Sequence, residues 1–129
     1  MKKKLGKITM EPGARPEPHE IDTINYLAHL GKDILILEQT PHHGLHKPDI
    51  KMGGIEWEMK SLTRDGKYTV EHAFRDALHQ SLYIIFDTRR APERVEQNLV
   101  KQLIKIFNRI NKPKRLLIIS RQGMLDFKK

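Results

Sequence analysis

Apolar positions along the chain follow two periods, and the switches between them outline the elements. Ile21, Ile24, Leu27 and Ala28 recur at three- and four-residue steps before Gly31, which predicts a first helix over residues 19–30. Ile34-Leu35-Ile36-Leu37, set between Asp33 and Glu38, is too short for a helix and made of strand formers, so it reads as a buried strand. Residues 48–52 and 55–62 read as two further strands. Gly53-Gly54 between them suits a tight hairpin, because both turn positions require positive φ. Along the second of these strands Ile55, Trp57 and Met59 alternate with Glu56, Glu58 and Lys60.

Helical spacing returns with Val70, Ala73, Phe74, Ala77 and Leu78, predicting a second helix over 70–81, and residues 82–86 form an apolar strand. Ala91-Pro92-Glu93 opens a third helix whose apolar face is Val95, Leu99, Leu103, Phe107 and Ile110; Lys112-Pro113 ends it. Residues 116–119 make a last core strand, and residues 124–127 a short edge strand. The order is α-β-β-β-α-β-α-β. Helices between the later strands imply parallel neighbours joined by crossovers, and the glycine hairpin implies an antiparallel pair. The expected class is α/β (α+β): a mixed sheet flanked by helices. Pro12, Gly13 and Pro16 argue against a regular element in residues 1–17, so a flexible lead-in is expected before a single domain over 18–129.

Composition narrows the chemistry. The 129 residues are 38% hydrophobic and 31% charged, which fits one soluble globular domain. No apolar run approaches the roughly 20 residues that span a bilayer, and the basic Met1-Lys2-Lys3-Lys4 start leads into no apolar stretch, so neither a membrane span nor a signal peptide is expected. The absence of cysteine excludes disulfides, thiolate metal sites and cysteine nucleophiles. The formal net charge of +8 points to a polyanionic partner, nucleic acid above all. Its Lys and Arg look spread along the chain, with modest concentrations at Lys2–Lys4, Arg89-Arg90 and Lys112–Arg115.

Three residues carry the candidate chemistry. Glu58 and Lys60 lie two apart on one strand and so share a face. The glycine turn returns Asp49, in the neighbouring strand, towards them. Two carboxylates and an ammonium gathered there suit phosphodiester hydrolysis. Asp49 and Glu58 offer hard oxygen ligands for Mg²⁺ or Mn²⁺, the Met59 carbonyl another, and Lys60 could hold the attacking water or offset developing charge.

Pro48-Asp49 followed by Glu58-Met59-Lys60 resembles the PD-(D/E)XK signature of the restriction-endonuclease-like nuclease superfamily, whose α-β-β-β-α-β core matches the element order. The stretches Lys47-Pro48-Asp49-Ile50, Gly54-Ile55-Glu56-Trp57-Glu58-Met59-Lys60-Ser61 and Ile84-Ile85-Phe86-Asp87 are similar to the C-terminal nuclease domains of contact-dependent growth inhibition toxins. That resemblance implies a tRNA-cleaving toxin domain acting in the cytoplasm of a target cell, a cognate immunity protein, and the homodimer common in the fold. It also implies an acidic metal residue from the first helix, for which Glu20 is the best match, with Glu17 and Asp22 as rivals.

Other polar residues have two readings. His42, His43 and His46 precede the motif; His46 and Lys47 could touch phosphate, or the loop is simply polar. Ser61 and Gln80 could contact substrate. Arg89 and Arg90 could grip phosphate or form a solvated basic turn. At the level of function, a DNA endonuclease of the same fold and a non-catalytic nucleic-acid-binding module stand as alternatives.

Overall fold

The structure, a computed structural model, describes residues 4–39 and 47–129. The chain forms two compact units, Met1–Trp57 and Glu58–Lys129.

The first unit opens on β1 (Ile8–Met10), which pairs in parallel with β2 (Ile34–Ile36). This corrects the expected lead-in: the prolines follow the strand and shape its exit, and do not abolish it. Lys7 fixes the pairing from both sides, donating its N–H to Asp33 Oδ1 (2.8 Å) and accepting from the Ile34 N–H (2.8 Å). The crossover from β1 to β2 is α1 (Pro18–His29), with proline in its first turn, where no N–H is needed. It buries Thr23, Ile24, Leu27 and Ala28, and each fully buried aliphatic side chain contributes about 1.5–3 kcal/mol. β2 then pairs antiparallel with β3 (Ile50–Met52), and β3 antiparallel with the start of β4 (Ile55–Ser61). Gly53 and Gly54 join β3 to β4 at φ 62° and 76°, as the hairpin requires.

The second unit takes in the rest of β4, then α2 (Lys67–Gln80), β5 (Tyr83–Asp87), α3 (Glu93–Arg109), β6 (Arg115–Ser120) and β7 (Gly123–Lys128). β4, β5 and β6 are parallel, as the crossovers predict, and β7 returns antiparallel along β6. Successive crossovers of one hand in one direction put both helices on the same face. The core agrees: Phe74 and Ala77 of α2 and Leu99 and Leu103 of α3 pack with Ile84, Phe86, Leu116 and Ile118. Phe74 stacks on Phe86 at 5.5 Å between ring centroids. Among the described residues no helix is long and apolar enough to cross a membrane.

Candidate active site

In the second unit, β4 carries Glu58 and Lys60 on one face. The parallel register aligns Glu58 with Ile84 and Lys60 with Phe86, so both polar residues share the face whose apolar members pack against α2 and α3. The expected alternation therefore holds, and the polar face runs from exposed Glu56 through buried Glu58 to half-buried Lys60. Glu58 is only 7% exposed. Lys60 Nζ stands 3.7 Å from Glu58 Oε2, with side-chain exposures of 31% and 9%. A charge-assisted hydrogen bond is shorter, about 2.7–2.9 Å, so the ammonium offsets the carboxylate through space. A buried carboxylate beside an ammonium is a hard oxygen donor of the kind a divalent cation takes.

In the first unit, Asp49 sits one residue ahead of β3, not within it. Its backbone is fixed on both sides: the Leu37 N–H donates to the Asp49 carbonyl (3.0 Å), and the Asp49 N–H donates to the carbonyl of Trp57 (2.9 Å). Trp57 is the residue that precedes Glu58 in the chain. The Trp57 indole is buried and donates to the Met52 carbonyl (3.1 Å), pinning the hairpin on which Asp49 depends. Gln39 Nε2 donates to the Pro48 carbonyl (2.8 Å), and Lys47 is exposed beside it.

The remaining predicted residues have definite places. Glu20 lies in the first turn of α1, where its Oε1 accepts from the Glu17 N–H (2.8 Å), a capping role. Ser61 Oγ accepts from Arg90 (3.2 Å). Gln80 ends α2, half-buried. Arg89 folds back on Asp87 with its Nε 3.0 Å and its terminal nitrogen 2.7 Å from the two carboxylate oxygens, so its guanidinium neutralises a carboxylate only 4% exposed. His42, His43 and His46 lie outside the described residues.

Sequence reasoning missed a buried network in the second unit. Thr88 Oγ1 donates to Glu96 Oε2 (2.7 Å), and Arg121 holds the other oxygen at 3.0 Å while donating to the Ala91 carbonyl (2.6 Å). Glu96 breaks the apolar stripe of α3; that is the one signal it leaves. The network borders a cavity between α3 and the β6–β7 turn, lined among others by Val100, Lys101 and Met124. Neither Glu58 nor Lys60 lines it.

Among the described residues, no three His, Asp or Glu side chains gather closely enough to hold a metal ion together. A Mg²⁺-type cation does not need such a cage, since it binds through one or two carboxylates and keeps several waters. Glu58 in the second unit and Asp49 in the first each offer a carboxylate of that donor type.

Residues 46–125 match the sequence profile of the family described as "Contact-dependent growth inhibition CdiA C-terminal domain". The fold is similar to that of a chain in the solved "CdiA-CT/CdiI toxin and immunity complex from Burkholderia pseudomallei", with a TM-score of 0.60. The two chains are 15% identical, and the superposition covers 96% of this chain and 100% of that one. At this identity the likeness is one of fold. No curated protein matches the sequence.

Proposed function

Because the chain belongs to the contact-dependent growth inhibition CdiA C-terminal domain family, and so is a growth-inhibition toxin domain, we propose that it is a metal-dependent nuclease of the PD-(D/E)XK type that hydrolyses phosphodiester bonds in RNA, tRNA first. The observation that carries this reading is Glu58: a carboxylate 7% exposed, two residues from Lys60 on one strand face. Asp49, tied to the carbonyl of the residue just before Glu58, supports it.

In this reading Asp49 and Glu58 would each offer a carboxylate to Mg²⁺ or Mn²⁺, with the Met59 carbonyl as a further donor, and the ion would supply Lewis acidity to water and phosphate. Lys60 does the rest from the protein side: its ammonium orients the attacking water or stabilises the oxygen that gains charge. The burial of Glu58 lowers the dielectric around its carboxylate and strengthens what it binds, while Lys60, 31% exposed, stays open to water and substrate. Glu20 contributes through water, because one carboxylate oxygen already caps α1. His46, Lys47, Ser61 and Gln80 contact the substrate. Arg89, already paired with Asp87, acts by holding the end of β5 in shape next to Ser61 and Arg90.

The solved complex pairs its toxin with an immunity protein. We extend that pairing to a cognate immunity protein for this chain, and we place its action in the cytoplasm of a target cell.

The test is incubation of the purified protein with total RNA and with plasmid DNA, with Mg²⁺, Mn²⁺ or EDTA, followed by mapping of cut ends. The reading expects RNA cut in metal and intact in EDTA. Nicked plasmid with RNA spared would make it a DNA endonuclease of the same chemistry. Full activity in EDTA, or none on either substrate, would overturn it.

A further inference from the structure

The positive charge of this protein is not spread along the chain in net terms. Residues 1–96 hold fifteen Lys and Arg and fifteen Asp and Glu, whereas residues 97–129 hold nine Lys and Arg and one Asp. The last quarter therefore carries the whole excess of +8. Between Glu96 and Asp126 there is no acidic residue at all.

The fold of the second unit concentrates this charge at one end. The Lys114 N–H donates to the Leu82 carbonyl (2.9 Å), and the Lys129 N–H donates to the Lys114 carbonyl (3.0 Å), so the turn after α3 and the last residue of the chain meet at the start of β5. Arg115 opposes Lys128 in the β6–β7 ladder. Lys129 Nζ donates to the Ile110 carbonyl at the end of α3 and lies 4.9 Å over the Phe107 ring. Along α3, a shallow groove lined by Lys101, Ile104, Lys105, Asn108 and Arg109 continues the same surface. Two carboxylates among the described residues reach this end: Glu71, 3.8 Å from Arg109, and Asp126, bound to Arg115 at 2.7 Å. Lys105, Lys112, Lys114 and Lys128 remain exposed beside them.

We propose that this basic end, formed by the second half of α3, the turn at residues 110–114 and the last residues of β7, binds the phosphate backbone of the nucleic-acid substrate. Charge decides the choice of occupant. A surface of exposed lysines with almost no competing acid gains most from a polymer that carries a charge at every nucleotide, because each contact releases a condensed counterion. Placement agrees. Glu58, Ile84, Leu116 and Phe127 form one row across the β4–β7 ladder, and Lys128 follows Phe127. Three strand spacings of about 4.8 Å put the basic end roughly 14 Å from Glu58 along the sheet, about four nucleotides of a helical strand at 3.4 Å each. The surface then anchors the backbone while Glu58 and Lys60 meet the bond to be cut. This inference rests on the nuclease reading for its substrate.

The test measures binding without cleavage. A Glu58→Gln protein in EDTA is titrated into labelled bulk tRNA, and in parallel into a labelled DNA duplex, over a salt series. Adding Lys105→Ala, Lys112→Ala and Lys114→Ala is expected to weaken tRNA binding about tenfold or more near 0.1 M salt. It should also lower the slope of log K against log[salt] by about two, at 0.7–0.9 per lost contact. Lys112→Glu alone, at an exposed turn position, gives the same direction should the triple variant fail to fold. A parallel loss on the DNA duplex marks backbone recognition shared by both polymers, and a loss on tRNA alone marks RNA as the ligand; both support the proposal. Unchanged affinity and slope in both variants overturn it and leave the basic end to a protein partner. A protein that binds RNA through these lysines yet cuts nothing in metal overturns the catalytic reading and not this one.

Discussion

Glu58 sets the energetics of the site at the scale of single residues. Its carboxylate is buried, with the Lys60 ammonium 3.7 Å away, and a divalent cation bound there would add to the stability of the fold. With Mn²⁺ at about 100 times its Kd the wild type should gain roughly 2.7 kcal/mol, read as a thermal shift, and Glu58→Gln should gain none. Equal shifts in the two proteins would remove Glu58 from the metal. The Glu-x-Lys spacing and the glycine turn were legible in the sequence, because both follow from strand periodicity. The burial of Glu58 was not, since a polar face alternating with an apolar one reads as solvated until α2 and α3 are seen to cover it. Nor was the Asp87–Arg89 fork, which needs a chain reversal just after β5 that no residue pattern announces.

Individual elements impose two further expectations. Gly53 and Gly54 hold positive φ, and a Cβ at either position would meet only open space, so the cost of Gly54→Ala is conformational and not steric. It should destabilise the protein by about 1–2 kcal/mol in urea melts; an unchanged midpoint would mean that the hairpin has another turn available. Glu96→Ala leaves the Thr88 hydroxyl and Arg121 without the carboxylate that joins them. Thr88 keeps the Ile119 carbonyl, and Arg121, 40% exposed, keeps the Ala91 carbonyl and gains water, so the loss should be about 1 kcal/mol in urea melts; an unchanged midpoint would show that the network adds nothing. Helices and core strands were readable because their apolar faces repeat over ten residues or more, or form unbroken runs. β1 was not readable. Its three residues are all exposed, so no burial pattern marks it, and its partner β2 lies across a whole helix.

The molecule as a whole separates its candidate groups along the chain. The second unit holds Glu58, Lys60 and the net charge; the first holds Asp49 on its hairpin. The mixed α/β class, the parallel later strands and the antiparallel hairpin all followed from the order of periodicities. The division at Trp57 did not, because the cut falls inside one continuous strand. The segregation of charge into residues 97–129 was present in the sequence but hidden by counting cations without their neighbouring acids. At this scale we propose that Asp49, Glu58 and Lys60 are each required for metal-dependent hydrolysis. Single-turnover cleavage of tRNA in Mg²⁺ tests it most directly, comparing the wild type with Asp49→Asn, Glu58→Gln and Lys60→Met, each checked for an unaltered fold. Each variant should lose at least about 100-fold in rate, within the 10²–10³ typical of losing one stabilising group. Cleavage at the wild-type rate by any of the three would contradict it.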